Sequence, residues 1–218
     1  MIDDHELKLA LRSRLLSAQI VTTGSVTLTP TGTGFTRVTG DFLADGFVPG
    51  MEVTPSGFTD NSIGVIKTVT ATAMDFYSSR SAEASQTGTL TVGIPAIREW
   101  ENVAAERQPN RWLLREQYIP GVPTKNGLGS QGNVEQYPAY VLTIESLAGI
   151  GTAAISAMIH HFKTSTFPPM LAISLAGGDT VRVQGDPAPF ASQVLNREAG
   201  IAEVVFTIPL IADTRNPI

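Results

Sequence analysis

The stretch from Val21 to Ile94 limits the fold of this chain more than any other part of it. Threonine and glycine dominate there, charges thin out, and six short runs alternate apolar with polar residues: Ser25–Thr29, Phe35–Thr39, Met51–Thr54, Val65–Thr70, Met74–Tyr77 and Thr89–Val92. Period-two alternation turns successive side chains to opposite faces, so each run fits a half-buried β-strand. Turn residues interrupt the runs about every ten residues, the spacing of a small antiparallel barrel or sandwich. Gly-Phe pairs at Gly34-Phe35, Gly46-Phe47 and Gly57-Phe58 punctuate the block. Each glycine is expected to permit a bend and each ring to plug one end of a small core. That reading is preferred to an aromatic binding platform, because the sequence sets no cation or acid cluster beside the rings.

The flanks have a different texture. Asp3 is placed to cap a helix, with Glu6 three residues on to reach back. Leu7, Ala10, Leu11, Leu15 and Ala18 then form one apolar stripe, with Lys8, Arg12 and Arg14 outside it. Acids first and cations later suit the helix dipole, and the helix is expected to end near Ala18. After Pro95 the chain reads as mixed α+β. Strands are expected at 111–119, 139–147, 180–184 and 202–210, and a second amphipathic helix carries Ile155, Met158, Ile159 and Phe162 and stops before Pro168-Pro169. Pro209 implies that its strand is an edge or the end of a ladder. The fold class expected is α+β: an antiparallel or mixed sheet packed with two helices, built from residues 1–20 and 95–218, with an all-β domain inserted at 21–94.

Composition excludes several functions. The chain contains no cysteine, which removes disulfides, thiolate metal sites and cysteine nucleophiles. A net charge of -5 without a basic stripe argues against a grip on nucleic acid. No apolar run is long enough to span a membrane, and Met1–Glu6 lacks the basic and apolar regions of a secretory leader, so folding in the cytosol is expected. Gly127-Leu128-Gly129-Ser130-Gln131-Gly132 is literally G-x-G-x-x-G, but it leads into a strand and not a helix, so no helix dipole faces the supposed phosphate. It reads as a connection between strands, longer than a tight hairpin. His160 and His161 are adjacent on a helix and point about 100° apart, which does not suit a shared metal, and His5 reads as solvated. Asp41, Asp45, Asp60, Asp179, Asp186 and Asp213 read as turn caps. G-x-S-x-G, the P-loop and S-x-x-K are absent, so no catalytic residue, metal ligand or cofactor is assigned.

Five features recur in a fixed order: the first helix, Ile97–Val103 with its Trp-Glu-Asn, the Trp-led run Arg111–Arg115, Tyr140–Ile144, and the helix ending His160-His161-Phe162. In that order they resemble the tail terminator family of long-tailed bacteriophages, over Asp3–Ala18 and Ile97–Asp213. The passage Phe35–Phe76 separately resembles small β modules of phage tail tube and other virion proteins. The family lacks this insertion in many members. The resemblance implies a ring, normally of six copies, that caps the growing tail tube, stops its polymerisation and offers a joint to the head-side connector or stopper. It implies a virion location after assembly in host cytoplasm, DNA passing through without specific binding, and no cofactor or membrane partner. Lys125, Asn126, Gly127, Leu128, Gly129, Ser130, Gln131 and Gly132 then become the expected interface loop, ordering against the adjacent ring. Competing readings are another neck or head-closure protein, and a carbohydrate-binding β module on a structural platform; an enzyme has the least support.

Overall fold

The computed structural model describes residues 3–95, 97–99, 111–122, 124–126, 133–147, 153–196 and 201–214. The first sheet comprises Val21–Thr22 (β1), Val26–Pro30 (β2), Gly34–Thr36 (β3), Glu52–Ser56 (β4), Gly64–Val69 (β5), Ala73–Phe76 (β6) and Gln86–Val92 (β7). Its order is β1-β7-β2-β3-β6-β5-β4, and all pairings are antiparallel. β7 pairs with β2 through Gln86–Gly88 and with β4 through Thr89–Thr91, so six strands close into a barrel. Closure satisfies ladder groups that an open sheet would leave at its edges. Alternation does the rest: Leu28, Phe35, Val53, Ile66, Met74, Phe76, Leu90 and Val92 all turn inward and are buried.

The three Gly-Phe rings are buried as expected, but the glycines differ in role. Gly46 and Gly57 have φ of +97° and +93°, the left-handed region that favours glycine. Gly34 does not; a Cβ there would lie 1.9 Å from the Met74 carbonyl oxygen, so it serves the close approach of β3 to β6. The expected strand over Phe35–Thr39 ends at Thr36. The expectation that no cation lies beside the rings is also overturned. The Arg37 guanidinium sits 4.1 Å from the Phe42 ring centre, and that of Arg80 sits 4.0 Å from Phe35 and 5.7 Å from Phe76. Burial strips water from both guanidiniums, and the ring faces supply the compensating negative potential. The rings remain core plugs, with the cations as their lids.

The second sheet comprises Ile97–Glu99 (β8), Leu113–Ile119 (β9), Thr124–Asn126 (β10), Asn133–Gln136 (β11), Ala139–Leu147 (β12), Ala172–Ser174 (β13), Thr180–Val183 (β14), Phe190–Asn196 (β15) and Ile201–Thr214 (β16). Apart from the parallel β8–β9 pair its ladders are antiparallel, so it is a mixed sheet. β16 is its axis: it pairs with β12 and β15 along its first part, then with β11 and β14 along its last. Pro209 falls at that change of partners. β12 pairing ends at Ala139↔Pro209, β15 pairing ends at Phe190↔Thr207, and β14 pairing runs up to Val183↔Leu210. Of the two alternatives that Pro209 implied, the ladder end holds and the edge does not: the strand is the most central one, and the missing N–H falls where the β12 ladder ends.

Two helices lie on one face of this sheet: Asp4–Leu16 (α1) and Ala153–His161 (α2), the latter running into a π-helical turn at Phe162–Thr166. Asp3 caps α1 by accepting from the His5 and Glu6 N–H groups. The Glu6 side chain does not reach back; it accepts from the Gly177 N–H, 3.2 Å away. Leu7, Leu11 and Leu15 are fully buried, and polar contacts from α1 run to the second sheet: Tyr118 Oη donates to Asp4 at 2.7 Å, and Arg12 pairs with both oxygens of Glu116. Arg14 donates to the Thr166 and Ser165 carbonyls, satisfying acceptors that the end of the π-helical turn leaves open. Phe162 packs on Phe206 of β16 at 5.8 Å between ring centres, and Phe167 on Tyr140 of β12 at 6.1 Å. Glu52 of β4 ties the barrel to this half: its Oε1 accepts from Arg111 Nε at 2.7 Å and from the Trp112 N–H at 2.9 Å.

Candidate functional site

Register divides the second sheet into an inner and an outer face. Leu114, Glu116 and Tyr118 of β9 stand opposite Ile144, Leu142 and Tyr140 of β12, and Val204, Phe206 and Ile208 of β16 continue the row under the helices. The alternate residues form the outer face: Ile119, Ala139 and Pro209; then Gln117, Val141, Thr207 and Phe190; then Arg115, Thr143, Val205 and Ser192. No described helix covers this side. Ile119 and Phe190 at its borders are each 46% exposed, and the apolar surface continues through Val122 and Tyr137. Gly121 lets those two come together, because a Cβ there would lie 2.6 Å from the backbone nitrogens of Tyr137 and Pro138. A strand whose outward positions include Val205, Thr207 and Pro209 is not patterned for water on that side.

The opposite end of the outer face is charged. Arg115 Nε donates to Glu99 at 2.9 Å and the same guanidinium pairs with Glu145, which is nearly buried. Against the cost of burial, the Glu99 hydrogen bond and the charges of Glu145, Glu99 and Glu203 hold the Arg115 pKa above its ordinary value. The face therefore grades from apolar at Ile119 to a corner with one arginine among three glutamates.

At the apolar end the β10–β11 hairpin extends the sheet, paired up to Asn126↔Asn133 and joined through β11 to the last part of β16. Of the sequence-derived interface loop, Lys125 and Asn126 lie on β10, opposite Val134 and Asn133. Gly127, Leu128, Gly129, Ser130, Gln131 and Gly132 lie outside the described residues. The glycine run joins two paired strands and enters β11, not a helix. Sequence reasoning did not single out the face beside this hairpin; the signal was present in the outward positions of residues 203–209.

Other polar clusters are structural. Glu116, fully buried, holds Arg12 and accepts from Tyr140 Oη at 2.8 Å; burial and then the Glu116 charge push the Tyr140 hydroxyl pKa far up. Burial and the Asp4 carboxylate do the same to Tyr118. Asp45 is paired with Arg37 at 2.7 Å and is not a turn cap, whereas Asp41 caps the Leu43 and Ala44 N–H groups. Asp60 accepts from the Ser62 and Ser81 N–H groups, which with the Ser62 side chain hold its pKa down at about 2. Glu83 accepts from the Thr59 and Asp60 N–H groups, so two barrel loops are tied together.

His5 and His160 are exposed, and His161 is half-buried, its pKa lowered by burial and by His160. His161 borders an open dent of about 200 Å³ with Arg14, Ser17 and Thr166, and a second dent of about 340 Å³ lies on the other side of Arg14. Among the described residues there is no group of three or more His, Asp or Glu able to hold a metal, and no helix long and apolar enough to cross a membrane. Among the described large aromatics of the barrel, Tyr77 is exposed, while Phe35, Phe42, Phe47, Phe58 and Phe76 are buried.

No protein-family model matches the chain, and no curated protein matches it in sequence. A solved structure whose name carries no description of function overlaps it with a TM-score of 0.42 and 14% identity, over 56% of this chain and 82% of the other. That overlap is too loose to carry an argument.

Proposed function

We propose that this chain is a structural virion protein, a tail terminator, that assembles as a ring on the head-proximal end of a phage tail tube, stops its growth and forms the joint to the head-side connector. In this reading the helices and second sheet are the working domain, and the barrel of 21–94 is a guest domain inserted after α1. The observation that supports it best is the one-sided sheet: both helices on the inner face and an outer face with apolar borders, extended at that end by the β10–β11 hairpin. Such a surface suits neighbouring subunits better than a small substrate. The five features shared with the terminator family supply the particular role. A net charge of -5 suits a conduit that must let DNA slide.

The test is the mass of the purified chain alone and with tail tube subunits. A ring that forms on the tube supports the proposal; a monomer indifferent to tubes refutes it. In a phage lacking the protein, overlong tubes are expected, and tails of normal length would assign it to another position in the neck.

A further inference from the structure

The last part of β16 carries a row of its own, β10–β11–β16–β14–β13, in which every neighbouring pair is antiparallel. Both ends of the row are open: among the described residues β10 pairs only with β11, and β13 only with β14. The Leu171 carbonyl accepts from the Val183 N–H, and the Leu175 N–H donates to the Asp179 carbonyl. In the alternation of an antiparallel ladder Ile173 then also turns its backbone groups to β14, while Ala172 and Ser174 turn theirs away. Both of these residues are exposed, and no described backbone group bonds to their outward N–H and C=O.

Space is kept beside that edge. α1 passes it with Ala10, Ser13 and Ser17, and these small side chains, with Arg14 and β13, border the dent of about 340 Å³. The helix is fastened at either end of this groove, by Glu6 accepting from the Gly177 N–H and by Arg14 donating to the Thr166 and Ser165 carbonyls. It is thus held beside β13 without covering the edge. An open row of N–H and C=O groups is a template for a further strand, and main-chain hydrogen bonds supply the affinity.

The row itself names the strand that fits. β10 and β13 are three residues long each and lie at its opposite ends. Directions alternate along β10–β11–β16–β14–β13, so the two end strands run the same way. In a ring of roughly six copies each neighbour is turned by about 60°, which cannot reverse a strand, so β13 of one copy meets β10 of the next in parallel. An antiparallel join would need a two-fold axis and would pair β13 with β13, closing a dimer instead.

We infer that the free edge of β13 in one copy receives β10 of a second copy as a parallel strand, Thr124 beside Ala172 and Asn126 beside Ser174. The join is head to tail, so each added copy offers a further β13 and a further β10 until the ring closes, and the sheet continues from copy to copy. Lys125 and Asn126, the described part of the sequence-derived interface loop, then lie on the strand that is donated. The inference rests on the ring reading above and gives that ring its interface.

The absence of cysteine makes the test direct. Two matched pairs are introduced in the full chain, Thr124→Cys with Ala172→Cys and Asn126→Cys with Ser174→Cys, beside the two crossed pairs and the four single variants. Each is oxidised with tail tube subunits present and run without reductant. Residues paired across adjacent strands lie about 5 Å apart, within disulfide reach, whereas the crossed pairs lie about 8 Å apart, beyond it. The matched pairs are expected to give a covalent ladder of dimers and larger species, the crossed pairs at least about tenfold less, and the single variants only monomer. No ladder from the matched pairs overturns the inference, as do equal ladders from matched and crossed pairs, or dimers from Ser174→Cys alone, which indicate a β13–β13 join. Ser174→Pro tests the same edge without cysteine: it removes an outward N–H, so the melting temperature is expected to stay within a few degrees of the parent while ring assembly is lost. A Ser174→Pro chain that melts like the parent and still rings tubes refutes the interface. A parent chain that rings tubes while its matched pairs give no ladder refutes this interface and leaves the ring reading standing; a chain that neither cross-links nor binds tubes refutes both.

Discussion

Removing Glu116 should show what fastens α1 to the sheet. Its side chain is fully buried, Arg12 grips both carboxylate oxygens, and Tyr140 Oη donates to one of them. In Glu116→Ala, the Tyr140 hydroxyl loses its acceptor in a dry site, at about 1–3 kcal/mol. Arg12 loses its pair as well, but its side chain is 26% exposed and water can take up part of its hydration, so its share falls below the roughly 3–5 kcal/mol of a fully buried broken pair. Together these give a loss of about 3–4 kcal/mol. Glu116→Gln keeps an oxygen for Tyr140 and should lose about 2 kcal/mol. Arg12→Met with Glu116→Leu removes charge and partner together and should recover most of the Glu116→Ala loss. Urea unfolding of the parent, Arg12→Met, Glu116→Leu and the double variant at constant slope supplies the double-mutant cycle, with Glu116→Ala and Glu116→Gln measured beside them. If unfolding proceeds in two steps, the loss should fall on the step that releases α1, and the barrel step should not move. A loss under about 1 kcal/mol in Glu116→Ala, or a double variant worse than the sum of its parts, would refute the clamp.

Three further outcomes follow from other contacts. Glu52→Ala strips the acceptor from Arg111 Nε and the Trp112 N–H and should speed amide exchange at Trp112 with little change in the barrel strands; unchanged exchange there would refute the link. The folded Asp60 pKa of about 2 lies below the ordinary 3.8, so its contribution is present above about pH 4 and is lost as pH falls through about 2. Asp60→Asn should flatten that part of the acid-unfolding profile, and an unaltered profile between pH 4 and 2 would count against the loop tie. Gly34→Ala forces a Cβ to within 1.9 Å of the Met74 oxygen, so β3 must leave β6, at a cost of about 3 kcal/mol or more; a melting temperature within a few degrees of the parent would contradict the close approach.

Local patterns were legible wherever a single element decides them. The α1 stripe, the Asp3 cap, the strand at 139–147 and the strands of the barrel could all be read, because periodicity and turn chemistry act within a few residues. What could not be read depends on partners far along the chain. Arg12 and Glu116 are 104 positions apart, and Arg80 reaches Phe35 across the barrel. Pro209 left two alternatives open because an edge and the end of a ladder look alike in one dimension: both need a residue that donates no hydrogen bond, and register decides for the ladder end. β15 gave little strand signal because its first three residues, Phe190, Ala191 and Ser192, are all exposed and do not alternate. Glu6 matched a capping spacing, yet the Gly177 N–H won it. The outer sheet face went unseen because half-covered apolar positions resemble core until register assigns them a side.

The fourteen residues of β16 also set a schedule. β11, β12, β14 and β15 all wait for this one strand, which is made after every one of them. A ribosome must therefore carry the unfinished half, with its β8–β9–β12, β10–β11 and β13–β14 ladders not yet joined, until residues 201–214 emerge, while the barrel already holds all its staves by Val92. Losing the end of β16 would not trim this half; it would withdraw the spine on which β11 and β14 hang.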